Sequence, residues 1–257
     1  MTRLADQITA IILTYNEEDN IARTLDQLTW ARSVLIVDSG SGDDTLEIVA
    51  RYPNTRVVTR PFDSFAGQCN FALTQVETPW VLSMDADYVV SDALASEIAR
   101  LEDEAGVAGY RAGFVYQIYE TRLRGTLYPP RTVLYRRDKA RYQDFGHGHA
   151  VQIDGAVREL SGKIYHDDRK PLARWMASQQ TYARQEATYL LSSPRETLKF
   201  SDKVRLGMVL APILVPIHVL LVKGAVLDGP GGWLYALQRL LAETMIAIEL
   251  LDRKLRR

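Results

Sequence analysis

Trp80-Val81-Leu82-Ser83-Met84-Asp85-Ala86-Asp87-Tyr88 is a short apolar run that ends in two carboxylates one residue apart. It lies between Pro79 and a Ser91-Asp92 helix start, and it is too short for a typical helix, so it reads as a buried strand. In an open α/β sheet, ligands sit at the carboxyl ends of strands, where Asp85 and Asp87 fall. Oxygen-only side chains delivered to one point suit a hard divalent cation, Mg2+ or Mn2+. The bland alternative for an isolated Asp-x-Asp is a solvated turn.

The segments around this run alternate in kind. Ile8–Thr14, Val34–Val37 and Arg56–Thr59 have the apolar character of strands. Between them, helices are expected with Ile21, Leu25 and Leu28 on one face, then Leu46 and Val49, then a stretch near Ala66–Gln75. A further helix from Ser91 carries Leu94, Ile98 and Leu101. Strand–helix alternation of this kind predicts an α/β fold on a mainly parallel, doubly wound sheet. In the second half, Tyr110–Tyr119, Thr132–Arg137 and Ala150–Ile153 are strand-like, and Pro171 is expected at the first position of a long helix.

Composition is that of a globular protein with a sizeable core: 257 residues, 47% hydrophobic, 25% charged and a net charge of −1. That balance gives no footprint for nucleic acid. A single cysteine, Cys69, excludes an intramolecular disulfide and a cysteine metal cluster and suits a reducing compartment. Met1–Gln7 has no apolar signal region, so the expected location is the cytoplasmic side.

Residues 206–222 contain no Asp, Glu, Lys or Arg. The run is short of the ~20 residues that span a bilayer, and Pro212 and Pro216 are expected to break its helix. Lys199, Lys203, Arg205 and Lys223 flank it. A later helix carries Leu237, Leu241, Met245, Ile248, Leu251 and Leu255 on one side and Arg239, Glu243, Glu249, Arg253 and Arg256 on the other. This predicts a re-entrant or interfacial membrane anchor, against a helical hairpin packed on the core or a homodimer interface. The expected division is a catalytic domain at 1–195, with halves 1–105 and 106–195, and membrane-associating helices at 196–257.

Asn16-Glu17, Asp38 and Asp85/Asp87 gather acceptor groups along one sheet edge. The chain has no Gly-x-Gly-x-x-Gly or Walker loop to hold phosphates, so a diphosphate would be held through a metal. Thr14-Tyr15-Asn16-Glu17-Glu18, Val37-Asp38-Ser39-Gly40-Ser41-Gly42-Asp43-Asp44-Thr45 and Met84-Asp85-Ala86-Asp87, in that order, resemble family 2 glycosyltransferases of the GT-A fold. The later part resembles the branch that builds bacterial lipopolysaccharide core or exopolysaccharide.

The resemblance implies roles. Thr14, Tyr15, Asn16 and Glu17 would line the donor, with Tyr15 against the nucleobase and Asp38 accepting the imide hydrogen of uracil. Relatives often place a basic residue just before the position of Asn70; Gln68 and Cys69 stand there, and Gln68 and Asn70 would contact the donor from that helix. Asp87 would be the principal metal ligand, Asp85 would contact ribose or a metal-bound water, and His166 would add a metal or diphosphate contact unless it caps the following helix. The base for the acceptor hydroxyl would come from Asp144, His149 or His147, the histidines otherwise being hydrogen-bonded loop residues. Among Arg122, Arg124, Arg131, Arg136 and Arg137, with Arg169 and Arg174, a few would grip acceptor phosphate and the rest form a solvated face. The expected reaction is metal-dependent inverting transfer of a hexose from a UDP-sugar to a lipid-linked saccharide at the inner (plasma) membrane. A polyprenyl-phosphate glycosyltransferase and a non-catalytic membrane-docked scaffold are the alternatives.

Overall fold

The computed structural model describes residues 4–145 and 148–256. Two compact units are present: Met1–Gln117, Tyr128–Asp144 and His149–Arg169 form the first, and Ile118–Leu127, Phe145–Gly148 and Lys170–Arg257 the second.

In chain order the elements are β1 (Ile8–Thr14), α1 (Ile21–Asp26), β2 (Ser33–Asp38), α2 (Thr45–Val49), β3 (Thr55–Thr59), α3 (Phe65–Gln75) and β4 (Trp80–Asp85). There follow β5 (Tyr88–Val90), α4 (Asp92–Ile98), β6 (Val107–Ile118), β7 (Thr121–Arg122), β8 (Arg131–Arg136), β9 (Ala140–Phe145), β10 (Gly148–Ile153) and β11 (Ala156–His166). The main sheet runs β3-β2-β1-β4-β8-β6-β11-β5. Its first four strands are parallel; β8 is antiparallel to β4 and β6, β11 is parallel to β6, and β5 is antiparallel to β11.

Period-two alternation on nearly all-apolar strands buries both faces of the parallel half. Ile8, Ala10, Ile12, Ile36, Leu82 and Met84 enter one core; Ile11, Leu35, Val37 and Val81 enter the other, against α3. Each fully buried aliphatic of this kind contributes about 1.5–3 kcal/mol. The order turns back between β1 and β4, and register sets Thr14 beside Asp38 and Leu13 beside Asp85. The predicted strand ends therefore meet at one edge, at the switch point where open sheets bind ligands.

β5, β7, β9 and β11 have no counterpart in the sequence expectations. β11 is largely polar and exposed and is interrupted by a register shift between Glu159 and Lys163, so it shows no clean alternation. Gly162 lies in that interruption, where a Cβ would come within 2.4 Å of the Leu94 backbone. Only glycine lets α4 approach so closely.

The second unit contains α5 (Leu172–Ser192), α6 (Phe200–Leu206), α7 (Leu210–Ile217) and α8 (Gly229–Leu255). Pro171 stands at the N-cap position of α5, with φ −53° and ψ 144°, rather than in its first turn. Neither Pro212 nor Pro216 ends the apolar run. Pro212 lies in the first turn of α7, where no N–H is required, and the turn after Pro216, His218–Val222, opens to π spacing. Among the described residues no single helix is long and apolar enough to cross a membrane; Leu210–Val222 and Ala225–Leu255 form a pair bent by 71°.

α8 buries part of the side expected to be charged, and its leucine side is exposed. Tyr235, Ala236, Ala242, Ile246, Ala247 and Leu250 are buried together with Glu243, while Leu237, Ile248, Leu251 and Leu255 are exposed. Small residues let α8 lie close to its neighbours; Ala183 and Ala187 of α5 share a core with Ile246 and Leu250. Glu243 is buried because Arg205 meets it with Nη2 to Oε1 at 2.7 Å and Nε to Oε2 at 2.9 Å, and also reaches Glu186 at 3.2 Å and Asp202 at 3.7 Å. Arg205 is thus a structural cation inside the unit and not part of a basic flank. Lys199, Lys203 and Lys223 are exposed.

Candidate active site

The loop after β1 is laced to the loop after β2. Asn16 adopts φ 54°, a left-handed conformation that asparagine tolerates better than most residues. Its N–H donates to Ser41 Oγ at 2.8 Å, and its Oδ1 accepts from Gly42 N–H at 2.8 Å. The Glu17 N–H donates to Thr45 Oγ1 at 2.6 Å, and the Glu17 carboxylate accepts from Asn20 Nδ2 at 3.0 Å. Tyr15 is 54% exposed, a ring presented to solvent.

Asp38 is the hub of this lacing. Its Oδ2 accepts from the N–H groups of Gly40 at 2.8 Å and Ser41 at 3.0 Å, and its Oδ1 from Ser41 Oγ at 2.6 Å and Thr14 Oγ1 at 3.1 Å. Those four donors fill the lone-pair directions a carboxylate offers, and the residue is 1% exposed. A base imide could bond to Asp38 only by displacing one of them.

Asp85 ends β4, and Asp87 follows on a backbone held by Thr24, whose hydroxyl donates to the Ala86 carbonyl at 2.7 Å. The Asp87 carboxylate is 3.2 Å from His166 Nε2, brought there because β11 pairs His166 with Tyr88. Edges and faces of Tyr88, Tyr116 and Tyr128 surround the imidazole with centroids 5.1, 4.8 and 5.0 Å away. Burial works against protonation of His166, but the neighbouring Asp87 carboxylate outweighs it and raises the pKa. The Tyr88 and Tyr128 hydroxyls touch each other, and burial pushes both phenols up.

Among the described residues no three His, Cys, Asp or Glu side chains form a ready metal cage. A carboxylate and an imidazole already in contact, with Asp85 two residues away, nevertheless fit a divalent ion of the kind that takes one or two protein ligands and completes its shell with substrate phosphates and water. His166 Nδ1 is buried with no hydrogen-bond partner among the described residues.

The β9–β10 ribbon carries the candidate bases. Asp144 accepts from the Ala66 N–H at 2.9 Å, which anchors it at the start of α3. His149 stacks on Phe65 at 5.4 Å and leans on Tyr142 at 5.6 Å. Burial lowers the His149 pKa and Arg131 adds to the lowering, opposed by the carboxylates of Asp85 and Asp144. His147 lies outside the described residues.

Gln68 and Asn70 serve as fasteners. Asn70 exchanges two hydrogen bonds with the Tyr142 backbone, at 2.9 and 3.0 Å, and so ties β9 to α3. Gln68, fully buried, accepts from Arg60 Nη1 at 2.9 Å and donates to the Pro61 carbonyl at 3.2 Å and to Ser39 Oγ at 3.3 Å.

The arginines separate by partner. Arg131 lies over the Tyr128 ring at 4.6 Å and has no carboxylate within ion-pair distance among the described residues. Arg169 is tied to the buried Asp167 at 3.0 Å, and Arg23 reaches the same carboxylate at 3.3 Å. Arg136 bonds the Val107 carbonyl at 3.0 Å and covers Trp80, while Arg124 pairs with Asp228 at 3.4 Å. Arg174 lies on α5, in the second unit. The three tyrosines around His166, the Arg23–Asp167 pair and Arg60 carry no motif, so pattern reading passes over them.

These features define a GT-A sheet whose switch point gathers carboxylates and an imidazole at one edge. Residues 9–160 match Glycosyl transferase family 2, and the chain belongs to that family. It is 32% identical over 149 residues to the lipopolysaccharide core biosynthesis glycosyltransferase LpsC of Rhizobium meliloti (strain 1021), covering 52% of this chain and 53% of LpsC. The chain thus matches about half the length of that relative. It is 26% identical over 214 residues to the uncharacterized glycosyltransferase RT0209 of Rickettsia typhi (strain ATCC VR-144 / Wilmington), covering 76% of this chain and 71% of that one. Among solved structures, the mannosyltransferase PcManGT from Pyrobaculum calidifontis in complex with GDP-Man and Mn2+ aligns at TM-score 0.54 and 18% identity, over 96% of this chain and 87% of that one. S. aureus TarS 1-349 in complex with UDP-GlcNAc aligns at TM-score 0.50 and 17% identity, over 98% and 92%.

Proposed function

We propose that this protein moves a hexose, with inversion, from a UDP-sugar to a lipid-linked saccharide in lipopolysaccharide or related cell-surface polysaccharide synthesis, at the cytoplasmic face of the plasma membrane. The observation that carries this is the Asp87–His166 pair beside Asp85, at the edge where the Thr14–Asp38 lacing presents Tyr15. Asp87, Asp85 and His166 would hold the divalent cation, which when bound offsets charge on the departing nucleoside diphosphate. Tyr15 offers a face for the base, and the laced loops preorganise the ribose side. Asp144 or His149 takes the proton from the acceptor hydroxyl as its oxygen attacks the anomeric carbon. The kinship with LpsC supports the polysaccharide setting.

Membrane association is supported by the second unit. Leu210, Ile213, Leu214, Leu221, Val222, Leu227, Trp233 and Leu237 are about half exposed or more, and Lys199, Lys203 and Lys223 are exposed as well. An apolar surface of that extent with basic residues nearby suits an acidic leaflet.

Arg131 favours an acceptor that carries phosphate, because a half-buried guanidinium without a carboxylate partner among the described residues is suited to bind one. If a polyprenyl phosphate were itself the nucleophile, Asp144→Asn and His149→Asn would leave turnover near wild type. The central test screens UDP-hexoses with Mn2+ and membrane lipid extract. Asp87→Ala should lower transfer by at least ~10²-fold; wild-type turnover would reject the metal assignment. Leu221→Glu with Val222→Glu should release the chain from anionic vesicles in a sedimentation assay, and unchanged binding would reject the anchor.

A further inference from the structure

A ladder of rings leads outward from His149. Phe65 stacks on its imidazole, planes 21° from parallel, and Phe62 meets Phe65 edge-on at 5.1 Å. Phe62 is 53% exposed, although burial of such a ring is favourable. Polar groups flank this exposed end. The Arg60 guanidinium and Asp63 carboxylate form a two-pronged pair at 2.7 and 2.6 Å, steadied by Gln68. Asp144 is fixed by the N–H of Ala66, the residue after Phe65.

A sugar ring has a face lined by C–H bonds and a rim of hydroxyls. Its complement is an exposed π face, whose negative quadrupole attracts those hydrogens, bordered by planar polar groups that are already ordered. We propose that Phe62, backed edge-on by Phe65 and through it by His149, forms a stacking platform for a saccharide, with Arg60 and Asp63 bonding its hydroxyls at the outer rim. Because the inner end of the ladder is His149, next to Asp144, a sugar on the platform offers a hydroxyl to those two groups. Calling that sugar the acceptor rests on the glycosyl-transfer proposal; binding of a saccharide to the platform does not.

The test uses the full chain labelled with 13C in its phenylalanine rings, titrated with the methyl glycosides of glucose, galactose, mannose and N-acetylglucosamine. At least one should shift the Phe62 and Phe65 ring signals saturably. Phe62→Ala should weaken that binding about five-fold, and Phe62→Trp should restore it. Phe62 is half exposed, and circular dichroism of each variant verifies the fold. Absence of any ring shift, or unchanged affinity in Phe62→Ala, would overturn the platform. A parallel titration with UDP and Mn2+ separates the two proposals: failure there alone tells against the donor site, and failure of the glycosides alone removes the platform.

Discussion

Asp38 is where the expectation from motifs and the observed geometry diverge most, and its replacement separates them. Asp38→Ala removes the acceptor for four donors at once: two backbone N–H groups, of Gly40 and Ser41, and two hydroxyls, of Ser41 and Thr14. The hydroxyls can turn to other acceptors, but the N–H groups cannot. Each stranded amide costs about 1–3 kcal/mol, so the substitution should destabilise the first unit by about 2–6 kcal/mol. Asp38→Asn keeps one oxygen for both amides and loses the surplus strength of bonds to a charged acceptor, about 1–2 kcal/mol. The damage should extend to the first loop, because Ser41 Oγ holds the Asn16 N–H while donating to Asp38. Urea unfolding gives the global change, and hydrogen exchange at Gly40 and Ser41 gives the local one. About 4 kcal/mol corresponds to a ~10³-fold loss of protection. Donor discrimination should fall together with stability. If Asp38→Ala keeps its unfolding midpoint and amide protection yet no longer distinguishes UDP-sugars from other nucleotide sugars, Asp38 is a base-reading residue and not the hub that holds the two loops.

Other substitutions test the remaining parts of the structure. Since burial lowers the His149 pKa from 6.5, its neutral, proton-accepting form should persist below that pH. The acid limb of kcat/KM should therefore lie below pH 6.5, with rate falling as pH drops, and should vanish in His149→Asn; an unchanged limb would assign it to another group. Arg205→Met should destabilise the second unit by about 3–5 kcal/mol, read as a drop in thermal midpoint, because the buried Glu243, Glu186 and Asp202 lose their shared cation. A loss under about 1 kcal/mol would mean that the cluster is already hydrated.

The sequence by itself determined the parallel half of the sheet and the edge it presents. β1, β2 and β4 are nearly continuous apolar runs, and each stops at the residue that carries chemistry, so strand, strand end and candidate ligand are read in one step. Local chemistry also set the caps and turns between them, such as Ser64 accepting the Gly67 N–H and Ser91 that of Leu94. What only tertiary structure decided is which polar groups are already occupied. Nothing local distinguishes Asp38, with both oxygens filled, from Asp87, which faces an imidazole contributed by a strand 79 residues away. β11 carries that imidazole although its own sequence is polar and bulged, because its place in the sheet is fixed by its pairing with β5 and β6 and by the gap at Gly162. The same holds for α8. Helical periodicity separated a leucine side from a charged side, but it took a buried Arg205 meeting Glu243 and a close approach through alanines to decide that part of the charged side faces the core and the leucine side stays exposed. Apolar spacing along a helix records which side chains prefer to leave water, whereas the packing of neighbouring helices and the partners of buried charges determine which of them do.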